Sequence, residues 1–415
     1  MTRRRLLSYL LALGPGLLAA SAGNDAGGIA TYASAGASYG YGLLWAMVLV
    51  TVGVGVVQEM SARMGAVTGK GFSDLVRENF RLRPTALILL TLFVANAGII
   101  VSEFIGIAAA AELFGVSRYI GVPAAAVFVW LLITRGSYER VEKVFLLLSL
   151  AFLAYVGAAF LARPDWSEVF HQTLHPQIRM EVGYLHLLIA LIGTTISPYM
   201  QLYIQSSVVE KGVKPEEYAY TRFDVIAGTV FAGLIAMFII VATAATLHPR
   251  GIRIETAEDA AQALQPIAGS HASELFGIGL LGASLLAAGV LPLATTYMMS
   301  EALGFERGVS RTWSEAPVFM GLFTGLILLG AVLALIPGLP LIRVLVGVYV
   351  LNGLLLPVEL FAMLRLINQR EIMGKYVNGG FYNLLAWAIA GIVSLLSLTL
   401  IVLTVLGWLG VPTGA

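Results

Sequence analysis

The chain has no cysteine among its 415 residues, which excludes a disulfide framework, a thiolate metal centre and covalent thiol catalysis. Charge is nearly as scarce. Asp, Glu, Lys and Arg make up 12% of the residues and hydrophobic side chains 58%, whereas soluble domains carry about 25% charge. The net charge of +1 says nothing about partners. The histidines, His171, His175, His186, His248 and His271, fall mostly in expected loops or at the ends of apolar runs. A histidine-rich transition-metal centre inside the apolar core is therefore excluded, and a zinc peptidase is not expected. Period-2 alternation in segments of about ten residues, the mark of a transmembrane β-barrel, is missing as well.

What the chain does have is long apolar runs, each near the roughly 20 residues that cross a bilayer. They predict an all-α polytopic membrane protein with eleven transmembrane helices, at about 10–36, 41–64, 85–113, 119–134, 142–162, 184–210, 220–246, 275–302, 318–337, 340–366 and 383–409. Arg3, Arg4 and Arg5 before the first run imitate a signal peptide, but Gly14-Pro15-Gly16 leads on into further apolar sequence without a clear cleavage site, so the run reads as the first membrane helix. About 19 of the 25 Lys and Arg residues fall on one side of this arrangement. That side is expected to be cytoplasmic and to hold the N-terminus, which puts the C-terminus outside. The larger extramembrane stretches, 163–183 and 248–274, are too short for a domain. One transmembrane domain over 1–415 is expected.

Two of the runs are interrupted. Ser21-Ala22-Gly23-Asn24-Asp25-Ala26-Gly27-Gly28 breaks the first and Gly193-Thr194-Thr195-Ile196-Ser197-Pro198-Tyr199 the sixth, five helices apart. Unwound backbone at membrane depth is tolerated only where it lines a cavity or an ion, so matched breaks in two halves point to a transport site. An inverted repeat follows, with one half at about 10–162, the other at about 184–366, and an additional helix at about 383–409.

Asp25 is the sharpest candidate, because a carboxylate inside an apolar span costs several kcal/mol unless it faces a cavity or a cation. It reads as a cation ligand, with hydrogen bonding to helix termini as the alternative. Asn24 offers a carbonyl oxygen or caps the helix that follows. Backbone carbonyls of Ala22 in the first break, and those around Thr194 freed by Pro198, are further oxygen donors. Tyr199 closes the site, donates a hydrogen bond or packs. Glu103 and Glu359 are intramembrane carboxylates that bind or relay a cation, or are buried in the protonated form. Asn352 is a further polar candidate. Asp224 beside Arg222 reads as an interfacial charge.

The motifs in this order resemble the Nramp (natural resistance-associated macrophage protein) divalent-metal transporters over nearly the whole chain. The resemblance is carried by Gly14-Pro15-Gly16, Asp25-Ala26-Gly27-Gly28 and Tyr39-Gly40-Tyr41-Gly42, then by Gln58, Arg63-Met64-Gly65 and Val67-Thr68-Gly69-Lys70. It continues in Glu103-Phe104-Ile105-Gly106, Arg135-Gly136 with Glu142, Gln201-Leu202-Tyr203 and Glu258-Asp259-Ala260. It implies a LeuT-type inverted repeat with metal held between the broken first and sixth helices.

The departures are as informative. Gly28 stands where the family has a metal-binding Asn, and Ser197-Pro198-Tyr199 stands where it has Met-Pro-His. The family's helix-3 aspartate falls at Ile100, and no arginine in span 9 matches its basic partner. This pattern is similar to the Nramp-related magnesium transporters. Loss of the thioether leaves an all-oxygen environment suited to Mg²⁺, with Gly28 and Ser197 opening facing walls of one cavity. The expectation is alternating-access transport of Mg²⁺, with Mn²⁺ also carried and without proton coupling. The expected metal site is Ala22, Asn24, Asp25, Gly28, Glu103, Thr194, Ser197 and Tyr199. A proton-coupled Mn²⁺/Fe²⁺ carrier and a sodium-coupled organic-solute symporter are the rival transporters. No enzyme is expected, since no nucleophile has a nearby base. No cofactor is expected, and the partners are a divalent cation and the lipid bilayer of a prokaryotic cell membrane, with neither nucleic acid nor an obligate protein partner.

Overall fold

In the computed structural model, residues 23–135, 153–265, 269–308 and 311–409 are described. Nine helices among them are long and apolar enough to cross a membrane, and no strand occurs among the described residues. Of the eleven expected spans, the first and fifth fall partly outside the described residues; Ala22, Gly14-Pro15-Gly16 and Glu142 lie there too. Large apolar side chains such as Leu90, Leu328 and Leu395 are exposed on the bundle's outer faces, which suits a lipid solvent and not water.

The described part of span 1 is α1, Ala26–Tyr39. Its sequence is almost entirely small residues, and every position from Ala26 to Ala37 is buried. Small side chains let neighbouring backbones approach, which is how helices associate where apolar burial gives no preference for protein over lipid. Gly36 meets Thr243 and the Ile240 carbonyl of a neighbouring helix, and Gly106 meets Ala26. Leu44–Thr68 (α2), Phe72–Asn79 (α3), Leu82–Leu113 (α4) and Arg118–Arg135 (α5) follow. Leu153–Leu161 (α6) and Trp166–Leu174 (α7) come next. The helix at 166–174 lies within the extramembrane stretch 163–183; Asp165 starts it by accepting from the Ser167 and Glu168 amides at 2.9 and 3.3 Å.

Span 6 is two helices, α8 (Val182–Thr195) and α9 (Pro198–Glu210). The break has a direct cause. Pro198 has no N–H to offer the Thr194 carbonyl, and it biases Ser197 towards extended backbone, where φ is −80° and ψ 137°. The rest of the bundle is α10 (Tyr218–Thr246), the short α11 (Ala257–Ala261), α12 (Ala272–Leu303), α13 (Pro317–Ala334), α14 (Leu341–Ile367), α15 (Arg370–Met373) and α16 (Gly380–Trp408). A capping box between Thr256 and Asp259 opens α11, in the Glu258-Asp259-Ala260 stretch.

The packing that builds the site is a close crossing of α8 and α14. A side chain at Gly193 would strike the Tyr349 carbonyl and the Gly353 backbone, and one at Gly353 would strike the Ile189 carbonyl. Only glycine at both positions allows the backbones to meet there. The crossing brings Asn352 to the span 6 break and Tyr349 to the start of α1, where Gly27 leaves room for the tyrosine ring.

Candidate metal site

Asp25 is fully buried at the first break and caps α1: its Oδ1 accepts from the Gly28 amide at 2.7 Å. Asn24 therefore does not cap the helix; its Nδ2 donates to the Ala232 carbonyl of α10 at 3.1 Å. The other carboxylate oxygen of Asp25 accepts from the Tyr349 hydroxyl, and the Tyr199 hydroxyl lies 3.5 Å away, also donating. Glu103, fully buried on α4, accepts from the Ala26 amide at 3.2 Å and from Ser102 at 3.3 Å. The Tyr349 hydroxyl also lies 3.4 Å from Glu103 Oε1. One hydroxyl thus stands between the two carboxylates.

At the second break the Gly193 and Thr194 carbonyls lose their helical partners, and side chains replace them. The Ser197 hydroxyl lies 2.6 Å from the Gly193 oxygen and 3.0 Å from the Thr194 oxygen. Asn352 Nδ2 donates to the Gly193 oxygen at 2.5 Å and to Ser197 Oγ at 3.0 Å. Thr194 Oγ1, by contrast, is buried without a hydrogen bond, as is Asn352 Oδ1. Such groups cost about 1–3 kcal/mol each when left unsatisfied, so they are available to a ligand.

Gly28 was expected to face Ser197. It faces Thr194 instead: a side chain at 28 would begin 2.6 Å from the Gly23 carbonyl, 3.0 Å from Thr194 Oγ1 and 3.1 Å from Asp25 Oδ1. Three oxygens crowd the place where a longer side chain would stand. Thr194, Asp25 and the Gly23 backbone could hold a hard cation there. Among the described residues no three His, Cys, Asp or Glu side chains form a metal cluster. One carboxylate with neutral oxygens would hold a dication loosely. A thioether lies close by. Met200 lines a small cavity with Gly23, Asn24, Tyr32 and Thr195, and its sulfur accepts from Gln58 Nε2 at 3.4 Å.

Of the residues expected at the site, Asp25, Gly28, Thr194 and Tyr199 converge, Glu103 joins through Tyr349, and Ser197 sits among the break carbonyls. Asn24 turns its amide away to α10, and Ala22 lies outside the described residues. Tyr349 was missed. Nothing local distinguishes a tyrosine in an apolar run from packing; the signal was its place on the same face of span 10 as Asn352. Asp224, read as interfacial, is buried.

A span split at Pro198 and a buried carboxylate capping α1, among described residues that form apolar helices and no strand, define a broken-helix membrane transporter. The profile described as "Natural resistance-associated macrophage protein-like" (Nramp) matches residues 16–403, and the chain belongs to that family. It is 31% identical over 392 residues to the divalent metal cation transporter MntH of Yersinia pestis (strain Pestoides F), covering 91% of each chain. The fold is that of the Eremococcus coleocola manganese transporter, crystallised with an aromatic bis-isothiourea compound, at a TM-score of 0.80, 18% identity and coverage of 96% of this chain and 87% of that one. The nucleobase-cation-symport-1 transporter Mhp1 shares it more distantly, at a TM-score of 0.58, 15% identity and coverage of 97% and 94%. The protein is thus an integral membrane, divalent metal cation transporter of the Nramp type, with the LeuT-type fold.

Proposed function

We infer that this chain carries Mg²⁺ ahead of Mn²⁺ by alternating access, without coupling to protons. The two five-helix halves, about 10–162 and 184–366, would rock around the paired breaks, with the helix at 383–409 as an appendage, eleven spans in all and the N-terminus cytoplasmic. The observation that carries the reading is the crowding of Gly28 by the oxygens of Gly23, Thr194 and Asp25. Mg²⁺ keeps several waters and accepts one or two carboxylates and other hard oxygens, while a thioether favours softer ions. Ser197 presents no sulfur to the break, and the nearby Met200 sulfur is engaged by Gln58.

A second reading has its own observation. Tyr349 links Asp25 to Glu103, which gives a cation at Asp25 a hydrogen-bonded path to a second buried carboxylate. Proton-coupled Mn²⁺ transport would use that path. Uptake of Mg²⁺ and Mn²⁺ into liposomes holding a pH-sensitive dye separates the two. The first reading expects faster Mg²⁺ uptake with no acidification of the lumen. Metal-dependent acidification that disappears in Glu103→Gln would establish the second.

A further inference from the structure

The largest groove near a membrane face lies well away from Asp25. It has a volume of about 720 Å³ and is lined by the end of α14 and the first turns of α4 and α16, which both pack against α14. Arg365, in its lining, stands about 24 Å along α14 from Tyr349, so the groove is separate from the metal site. Its side chains are ordered by depth. Arg365, Gln369 and Asn383 belong to the helix ends, while Phe361 and Trp387 lie about one turn further into their spans and Ile88 nearly two. The Phe361 and Trp387 rings pack 5.7 Å apart, and both are exposed on the outer face of the bundle, as is Leu384. The groove is therefore polar at the bundle end and apolar below it.

The polar end is cationic and lacks a counter-charge. Arg63, Arg77 and Arg307, at the same end of the bundle, each pair with a carboxylate. Arg365 has no such partner among the described residues and lies over the Phe80 ring, 5.7 Å from its centroid. Among the described residues no Asp or Glu lines the groove. Asn368 Nδ2 donates to Asn383 Oδ1 at 2.7 Å, so the Asn383 amide N–H groups, which have no acceptor among the described residues, are left for a ligand. A guanidinium and amide donors suit a phosphate oxygen, and aromatic and aliphatic side chains one turn deeper suit an acyl chain. Basic pockets between membrane helices take anionic headgroups for these reasons. We propose that this groove binds an anionic phospholipid from the adjoining leaflet, with its phosphate on Arg365 and Asn383 and an acyl chain against Phe361, Trp387 and Ile88. A soluble phosphate ester would use the polar end alone and leave the apolar depth uncovered.

The full chain in detergent is titrated with phosphatidylglycerol or with phosphatidylcholine, and the lipid retained per chain is counted by native mass spectrometry. Wild type is expected to retain phosphatidylglycerol about fivefold better than phosphatidylcholine, and Arg365→Gln to hold the two nearly alike. Arg365→Lys keeps the charge and should keep most of the preference. Trp387→Ala should lower retention of both lipids. Lys214→Gln removes one positive charge from an exposed loop elsewhere and should leave the preference as in wild type. Arg365, Trp387 and Lys214 are all exposed, so each variant should elute as wild type does. Equal retention of the two lipids by wild type would overturn the proposal, as would wild-type retention in both Arg365→Gln and Trp387→Ala. An equal loss of preference in Lys214→Gln would show diffuse attraction to the whole basic end and overturn it too. Complete displacement of the lipid by equimolar glycerol phosphate would make this a site for a soluble ester and overturn the lipid assignment.

Discussion

The Tyr349 hydroxyl donates to the carboxylate of Asp25 across 324 residues of sequence, tying span 10 to the break in span 1. The bond exists because Gly27 leaves no side chain under the tyrosine ring and Gly193 lets α14 meet the span 6 break. Movement of α14 against α1 must therefore change what Asp25 is bonded to, and that is the property a cation ligand in an alternating-access carrier requires.

Asp25→Ala should abolish uptake of Mg²⁺ and Mn²⁺ into liposomes while the protein still elutes as a single species in detergent. Asp25→Asn keeps the size and the α1 cap but loses the charge that attracts a dication, so it should lower uptake at least about tenfold. Near wild-type rates in a well-folded Asp25→Ala protein would remove this residue from the site.

Tyr349→Phe removes a single oxygen. A hydrogen bond to a charged group contributes about 1.5–3 kcal/mol, so uptake should change by at least about tenfold. Tyr199→Phe acts on a longer bond, 3.5 Å, and should change it less. Equal effects of the two would show that the hydroxyls act through packing and not through Asp25.

Gly28→Ala puts a methyl group 2.6 Å from the Gly23 carbonyl, 3.0 Å from Thr194 Oγ1 and 3.1 Å from Asp25 Oδ1. The carbonyl belongs to backbone and cannot swing aside as a flexible side chain does, so overpacking of about 1–3 kcal/mol is expected. Uptake of every divalent cation should fall, together with the affinity measured by calorimetry. Unaltered affinity would mean that the cation does not use this oxygen cluster.

Ser197→Met tests cargo choice. Methionine offers a soft ligand, and the Mg²⁺ to Mn²⁺ uptake ratio should fall by about tenfold with Cd²⁺ favoured. Ser197→Ala is the control, since it removes only the hydroxyl bonded to the Gly193 and Thr194 carbonyls. If both variants lower all cations alike, Ser197 serves the helix break and the size-and-softness argument for Mg²⁺ fails.

Glu59→Ala should lower thermal stability. The Tyr218 hydroxyl and the Tyr382 hydroxyl, the latter at 2.6 Å, donate to the Glu59 carboxylate, and Arg63 lies 3.2 Å from it. This joins α2 to the starts of α10 and α16. Removing one member of such a buried pair typically costs about 3–5 kcal/mol, which should appear as a clear drop in the detergent unfolding midpoint, while Glu59→Gln retains part of the network and should lose less.

The sequence by itself determined the solvent, the helical class, the family and the two breaks. Each follows from local chemistry: run length against bilayer thickness, the missing N–H of Pro198, and the cost of a carboxylate such as Asp25 in apolar surroundings. Tertiary structure decided which groups meet there. That Asp25 and not Asn24 caps α1, that Gly28 faces Thr194 and not Ser197, and that Tyr349 reaches Asp25 all depend on how closely α8 and α14 cross. Side-chain direction at a broken helix is set by backbone angles at the break and by the partner that fills the gap. In a bundle with no regular seam, those partners come from spans hundreds of residues away, whose rotation about their own axes no local pattern records.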